Sequence, residues 1–559
     1  MEKIVTRRVK ESLREGLREA ALKARSSGKL FFDDLPAVNL EVPKDKSHGN
    51  FASNLALVLS KIAKTPPREV AQAVIDNLGP NPYIAKTEMA GPGFINFYLN
   101  NNWLVEVLES ILGQKMDYGN SSDLEGLNIQ LEFVSANPVG PMNVVNARAA
   151  ALGDTLGNLM AACGAKVWRE YYVNDFGVQV ETLGRSIDAR YRELLGQEVD
   201  FPDDGYRGEY IYDIARQFIA EKGSDYLKLP DADRIKTFKE LGYTRILATQ
   251  KEDLSNYGVH YDCWFSERSL HEQGAVSQVM QELEAKGLTF IQDGALWLKT
   301  TGFGDDKDRV LKTADGRTTY FTSDIAYHVN KFNRGFNLLI DIWGPDHHGY
   351  IPRMKAAMAS LGYNPDRLEV LIAQQINLLK DGQPFKMSKR RGEFITMTDL
   401  LEEVGNDAAR WFFLMRSPES HLDFDLGLAK SQTNENPVFY VQYAFARLCS
   451  IFRQAGSKWL ESGYDPSLLR FWDEEEESIL EKAAHFPDLI SEAAQNREPH
   501  CLTGYLLDLA TAFHSYYNRR RFLSDDLQQT RSRLWLARGL YYVFQRGLNL
   551  LGVSAPERM

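Results

Sequence analysis

Lys386-Met-Ser-Lys-Arg-Arg-Gly392 carries four cations in seven residues. It follows an apolar run, Leu368 to Leu379, whose pattern predicts a strand, and a turn at Asp381-Gly382. Cations on a loop beyond a strand suit phosphate oxygens, because charge-assisted hydrogen bonds hold a polyanion. A basic surface loop is the plain alternative. A second segment, Ser135-Ala-Asn-Pro-Val-Gly-Pro-Met-Asn-Val-Val-Asn-Ala-Arg148, turns through Pro138, Gly140 and Pro141 and opens a helix at Asn143. A helix N-terminus just past a strand is an anion site. Asn143 also suits an N-cap, a role compatible with ligand contact. Trp343-Gly-Pro-Asp-His-His-Gly-Tyr350 sets an aspartate beside two histidines. Sequence neighbours seldom complete a coordination set and no other ligands converge, so no metal site, zinc included, is expected. Near the C-terminus, Phe513-His-Ser-Tyr-Tyr-Asn-Arg-Arg-Arg521 interleaves aromatics with cations, as base stacking and phosphate contact require.

The elements that must position these residues begin with a βαβ unit. Ile129, Leu131 and Phe133 alternate on a strand, and Ala149, Leu152, Leu156, Leu159 and Cys163 share a helix face that Gly164 ends. Val167 to Val173 is the next strand. This order predicts a parallel sheet with ligand at the carboxyl ends of its strands. Before it, residues 1 to about 30 and Phe51 to Lys61 read as helices and Phe94 to Leu99 as a strand, an α+β module. The polar stretch Gln114 to Gly126 reads as a linker. Residues 185–290 read as a helical insertion. From about 400 onward the pattern is helical, in segments such as Asp407 to Met415, Val438 to Arg453, Leu502 to Tyr517 and Arg533 to Leu551. Glu474-Glu-Glu-Glu477 reads as a solvated helix face.

Composition narrows the class. At 559 residues several domains are expected, and 44% hydrophobic with 25% charged is ordinary for a globular protein. The net charge of −11 argues against indiscriminate coating with nucleic acid, while local basic stripes leave a specific nucleic-acid partner open. The four cysteines form no CxxC pair. The charged N-terminus lacks a signal-peptide core, and no apolar run approaches the ~18 residues of a membrane span. A cytoplasmic protein with no membrane or DNA partner is expected.

Lys386-Met-Ser-Lys389 resembles the KMSKS loop of class I aminoacyl-tRNA synthetases, and Asn143-Val-Val-Asn146 stands where their HIGH motif belongs. Nearly end to end, the chain resembles arginyl-tRNA synthetase. The flanks Glu132-Phe-Val-Ser-Ala-Asn137, Ala147-Arg-Ala-Ala-Ala-Leu-Gly-Asp154 and Arg169-Glu-Tyr-Tyr-Val-Asn-Asp175 match, as does Tyr320-Phe-Thr-Ser-Asp-Ile-Ala-Tyr-His328. The resemblance implies a multidomain α/β protein: an N-terminal α+β tRNA-elbow module over 1–115, a Rossmann-like parallel-sheet catalytic domain over 116–400, and an all-α anticodon-binding domain over 401–559. It implies ATP contacts from Pro141, Asn143, Asn146, Gly344, Asp346, His347, Lys386, Met387, Ser388 and Lys389, with Mg²⁺ arriving on the nucleotide. Lys386, Lys389, Asn143 and Asn146 would carry the chemistry. Histidine can bring charge to a phosphate where asparagine brings a neutral hydrogen bond, a difference of ~1 kcal/mol or roughly tenfold in rate per contact. Val145 adds bulk where the family has glycine.

The resemblance places arginine against Glu132, Asn137, Tyr320 and Asp324: Asp324 on the guanidinium, Asn137 and Glu132 on the α-amino end. Read by themselves, Glu132 is an exposed strand carboxylate and Asp324 a helix N-cap. Tyr440, Gln442, Tyr443, Arg447, Tyr517 and Asn518 would face the anticodon. Phe94 and Asn96 would meet the tRNA elbow, with a buried strand the equal alternative for Phe94. Phe445 stands where the family has histidine. The implied function is an arginine–tRNA ligase, with tRNA-Arg, L-arginine and ATP as partners, tRNA needed even for activation, and a monomeric state. Two other readings stay open: an RNA-binding paralogue that lost activation, and a class I synthetase for another amino acid.

Overall fold

Ile129, Gln130 and Leu131 of the strand Asn128–Glu132 are all buried. A strand covered on both faces belongs inside a parallel sheet, and this one lies at the centre of five. The parallel order is Leu368–Ile372, Leu338–Trp343, Asn128–Glu132, Lys166–Val173, Cys263–Ser266. Counted along the chain this is 5-4-1-2-3, the doubly wound arrangement. The order reverses between Asn128–Glu132 and Leu338–Trp343, so a crevice opens beyond their carboxyl ends. The computed structural model describes residues 4–43, 45–380, 382–385, 395–457, 459, 463–466, 469–471 and 473–559. Asp381 and the expected phosphate-loop residues Lys386, Met387, Ser388 and Lys389 lie outside them.

The helix Val144–Ala162 follows the central strand and is buried along most of its length. It approaches the sheet so closely that a Cβ on Gly153 would fall inside the Phe133 ring. The helical end of the chain docks on this helix. Arg410, fully buried, donates to Leu551 O at 2.8 Å and pairs with Asp154. The helices Asn406–Leu414, Pro437–Ala455, His500–Arg519 and Leu527–Leu551 agree with the helical periodicity of the sequence. In the N-terminal module, helix Val5–Ser26 buries Val5, Val9, Leu13, Leu17 and Ala21 on one face. Phe94–Leu99 is the central strand of a three-stranded antiparallel sheet.

Five expectations need correction. Phe51 to Lys61 is not one helix. Phe51–Ser53 pairs antiparallel with Phe94–Leu99, and the helix begins at Leu55, whose N–H donates to Ser53 Oγ. The insertion over 185–290 is not purely helical, because Cys263–Ser266 forms the sheet edge beside Lys166–Val173. Leu368 to Leu379 is two strands. Leu368–Ile372 closes the parallel sheet, while Ile376–Lys380 joins Gln383–Pro384 and Leu422–Asp425 in another. The stretch Gln114 to Gly126 is no free linker, since Tyr118 is buried and its hydroxyl donates to Ala483 O at 3.0 Å. Within Glu474-Glu-Glu-Glu477, Glu476 is buried and pairs with Arg533 at 2.7 Å. Periodicity does not register such long-range partners.

Candidate active site

A cavity of about 820 Å³ occupies the crevice at the strand-order reversal. Its floor is the loop after Asn128–Glu132. Val134 and Ser135 take φ of 71° and 43° there, left-handed conformations that cost ~1–3 kcal/mol each in non-glycine residues. The surroundings hold that strain. Ser135 Oγ donates to Glu132 Oε1 at 2.9 Å and accepts from the Tyr172 N–H at 3.1 Å. Tyr171 donates to Ala136 O at 2.9 Å and Tyr210 to Val139 O at 2.7 Å. Gln250, buried in the helix Asp231–Asn256, donates to Gly140 O at 2.9 Å and Asn137 O at 3.2 Å. The insertion helices thus buttress this loop.

At the loop's end Asn143 caps the helix Val144–Ala162, and Asn146 completes a reciprocal capping box. Asn143 Oδ1 accepts from Val145 N at 2.9 Å and Asn146 N at 3.1 Å, and Asn146 Oδ1 accepts from Asn143 N at 2.9 Å. Both oxygens are spent on the cap, and both residues line the cavity. Among the described residues only the amide N–H groups remain uncommitted. They are donors, the polarity a phosphate needs at a helix N-terminus.

Four carboxylates line the cavity, Glu132, Glu267 and Asp341 buried and Asp324 half-buried, and their partners set them apart. Glu132 is not the exposed strand carboxylate that the sequence alone allowed. It is 7% exposed, accepts from Ser135, and pairs with the fully buried Lys331 at 2.6 Å. Lys331 also bridges to Asp341 at 2.7 Å, and Asp341 meets His328 Nε2 at 2.9 Å. Glu132 is therefore already neutralised and acts first as an anchor for the loop. Asp324 is not an N-cap either, because it lies inside the helix Tyr320–Asn333 and accepts from the Tyr350 hydroxyl. Glu267, which sequence reasoning did not single out, is 3% exposed and lines the same cavity. Burial pushes Glu267 up to about 7, with the Asp324 charge adding to it. Burial likewise raises Asp324, against the pull of the Tyr350 hydrogen bond and His328. Among the described residues neither Asp324 nor Glu267 has a lysine or arginine partner.

Asn137, Tyr320, Pro141, Gly344 and His347 also line the cavity, whereas Asp346 is exposed and does not. The described residues on either side of 386–394, where the phosphate loop is expected, each hold a backbone contact. Phe385 N donates to Leu378 O at 2.7 Å, and Thr396 forms an antiparallel bridge to Asn143 itself. Among the described residues no cluster of His, Cys, Asp or Glu could hold a metal ion.

On the helical domain, Arg447 draws several expected RNA-facing residues together. Its guanidinium lies 4.4 Å over Tyr443 and 4.7 Å over Tyr517, and it donates to His514 Nδ1 and Asn518 Oδ1. Tyr440 packs 4.4 Å from the His514 ring. Two expectations are corrected by burial. Gln442 spends its amide on Asp407 at 2.8 Å and Ser554 O at 3.0 Å, and Asn96 is buried in its strand, so neither offers a surface to a base. Phe94 is half-buried. Phe445, in the place of the family histidine, is a core residue stacked 4.9 Å from Tyr541.

A doubly wound parallel sheet, an anion-ready helix at its switch point and an appended helical domain define a class I aminoacyl-tRNA synthetase. Three family models match the chain: an arginyl tRNA synthetase N terminal domain over 7–99, a tRNA synthetases class I (R) catalytic domain over 107–414, and a DALR anticodon binding domain over 441–559. The arginine–tRNA ligase of Geobacillus kaustophilus is 47% identical over 554 residues, covering 99% of both chains. That of Moorella thermoacetica is 46% identical over 558 residues, covering 99% of this chain and 100% of the relative. The Thermus thermophilus arginyl-tRNA synthetase structure shares the fold, with a TM-score of 0.73 at 22% identity over 98% of this chain. The chain belongs to the arginyl-tRNA synthetase family. Class I synthetases use ATP.

Proposed function

We propose that the protein joins L-arginine to the 3′-terminal adenosine of tRNA-Arg. The carrying observation is the pair of carboxylates, buried Glu267 and half-buried Asp324, that share the cavity without a lysine or arginine partner among the described residues. A planar, permanently charged guanidinium answers both, whereas a neutral side chain would leave two carboxylates uncompensated. Tyr320, at the rim, and Asn137 complete the arginine side of the cavity.

In the first step the arginine carboxylate attacks the ATP α-phosphorus and pyrophosphate leaves with its Mg²⁺. In the second the terminal adenosine 2′-hydroxyl attacks the arginyl carbonyl and AMP leaves. The protein's part is orientation and charge. The amides of Asn143 and Asn146 and the lysines Lys386 and Lys389 would face phosphates, and Pro141, Gly344 and His347 would bound the nucleoside. Arg447, Tyr443, Tyr517, Tyr440 and Asn518 would receive unstacked anticodon bases. The proposal also takes in the division at about 115 and 400, a tRNA requirement for activation, a monomer and a cytoplasmic home, which the four free cysteines suit.

Arginine-dependent ATP–pyrophosphate exchange, with and without tRNA-Arg, is the test. Exchange that appears only with tRNA is expected. Its absence under both conditions, from folded protein that still binds tRNA, would refute activation and leave an RNA-binding protein.

A further inference from the structure

Arg148 lies two residues beyond Asn146 in the nucleotide-side helix and is fully buried. No carboxylate pairs with it among the described residues. Its Nη1 donates to Gln374 O at 2.7 Å, and its Nη2 to Ser417 O and Ser420 O, each at 3.0 Å. Among the described residues its Nε has no hydrogen-bond partner. A buried cation answered only by carbonyls is costly, and an apolar side chain would fill the same space without the desolvation cost. Packing alone therefore does not account for an arginine here.

The gripped carbonyls explain it. Gln374 stands just before the strand Ile376–Lys380, whose hairpin leads into residues 386–394. Ser417 and Ser420 shape the turn before Leu422–Asp425, the parallel partner of that strand. Gln374 N also donates to Pro418 O at 3.0 Å, so both gripped segments form one unit. At the far side of the loop, Met397 N donates to Met142 O at 2.8 Å, and Thr396 bridges to Asn143. The described residues on either side of 386–394 are thus both held against one helix.

We propose that Arg148 is a positioning residue for adenylate formation: its guanidinium holds the entry of the strand Ile376–Lys380, which leads in sequence toward Lys386, against the helix that carries the Asn143 and Asn146 amides. The planar fork reaches three carbonyls on two segments at once, which a lysine ammonium, a point charge, does not. The inference rests on the assignment of Lys386 and Lys389 as the phosphate loop.

The test compares R148K, R148A and K389A with the wild-type protein. Pyrophosphate exchange is measured with tRNA-Arg, and arginine affinity by calorimetry with tRNA but without ATP. For R148K the exchange kcat falls at least tenfold while arginine affinity stays within twofold. Millimolar guanidinium restores part of the exchange in R148A and none in R148K, whose own side chain fills the site. Parallel losses of arginine affinity, thermal stability and exchange in R148K would make the residue merely structural and overturn the proposal. R148K exchanging within twofold of wild type, beside an inactive K389A, would overturn the positioning role alone. K389A exchanging at the wild-type rate would overturn the loop assignment beneath it.

Discussion

Replacing Glu267 by glutamine keeps the shape and removes one charge from the proposed arginine cavity. Removing one member of a buried, hydrogen-bonded charge pair costs about 2–4 kcal/mol. The arginine KM of E267Q therefore rises about 30- to 1000-fold. The contact is made equally in ground and transition states, so kcat at saturating arginine is unchanged. The assay is tRNA-dependent pyrophosphate exchange across an arginine titration. Because Glu267 sits at about 7 in the empty cavity, arginine binding must displace its proton at lower pH. Between pH 8 and pH 6 the wild-type arginine KM rises about tenfold, as expected for one proton released around that pKa. In E267Q this rise disappears. A KM within threefold of wild type, or a pH dependence that survives the substitution, would take Glu267 off the guanidinium.

The same group makes the empty protein pH-sensitive. Its pKa is raised from 4.5 to about 7, so the folded state holds a proton that the unfolded state loses. Stability from this group is full below 4.5 and falls by about 3 kcal/mol as pH rises through 7. Denaturant unfolding of the wild type without arginine, minus that of E267Q, should trace this loss; a flat difference from pH 4.5 to 7.5 contradicts it. N143A removes the cap on Val144–Ala162, which lowers stability by about 1 kcal/mol and slows exchange roughly tenfold through the lost phosphate donor. Full exchange activity in a destabilised N143A would confine Asn143 to capping. R447A unseats Tyr443 and Tyr517, and at 1–3 kcal/mol per stacked base the tRNA KM rises about 5- to 150-fold with arginine KM unchanged. An unaltered tRNA KM would move the RNA contact elsewhere.

Local chemistry made much of this molecule legible. The Asn143 cap is written in residues three apart, and the strand Phe94–Leu99 in its apolar alternation. What periodicity missed depends on distant partners. Phe51–Ser53 is a strand because Phe94–Leu99 is there to pair with it. Gln442 and Asn96 look like surface amides until their neighbours cover them. Glu267 carries no motif, and only its burial beside Asp324 marks it; a lone acid at the start of a short helix gives no sequence signal.

The sequence by itself determined the βαβ order, the helical C-terminal region and the family, because strand and helix periods and motif spacing are properties of adjacent residues. Only the tertiary structure decided which acids are already paired with a lysine. Lys331 crosses 199 residues of chain to neutralise Glu132 and takes Asp341 as well. Asp324 and Glu267 have no lysine or arginine partner among the described residues of the same cavity. The charge of a buried carboxylate is set by what lies within a few ångströms of it, and that distance is a product of the fold.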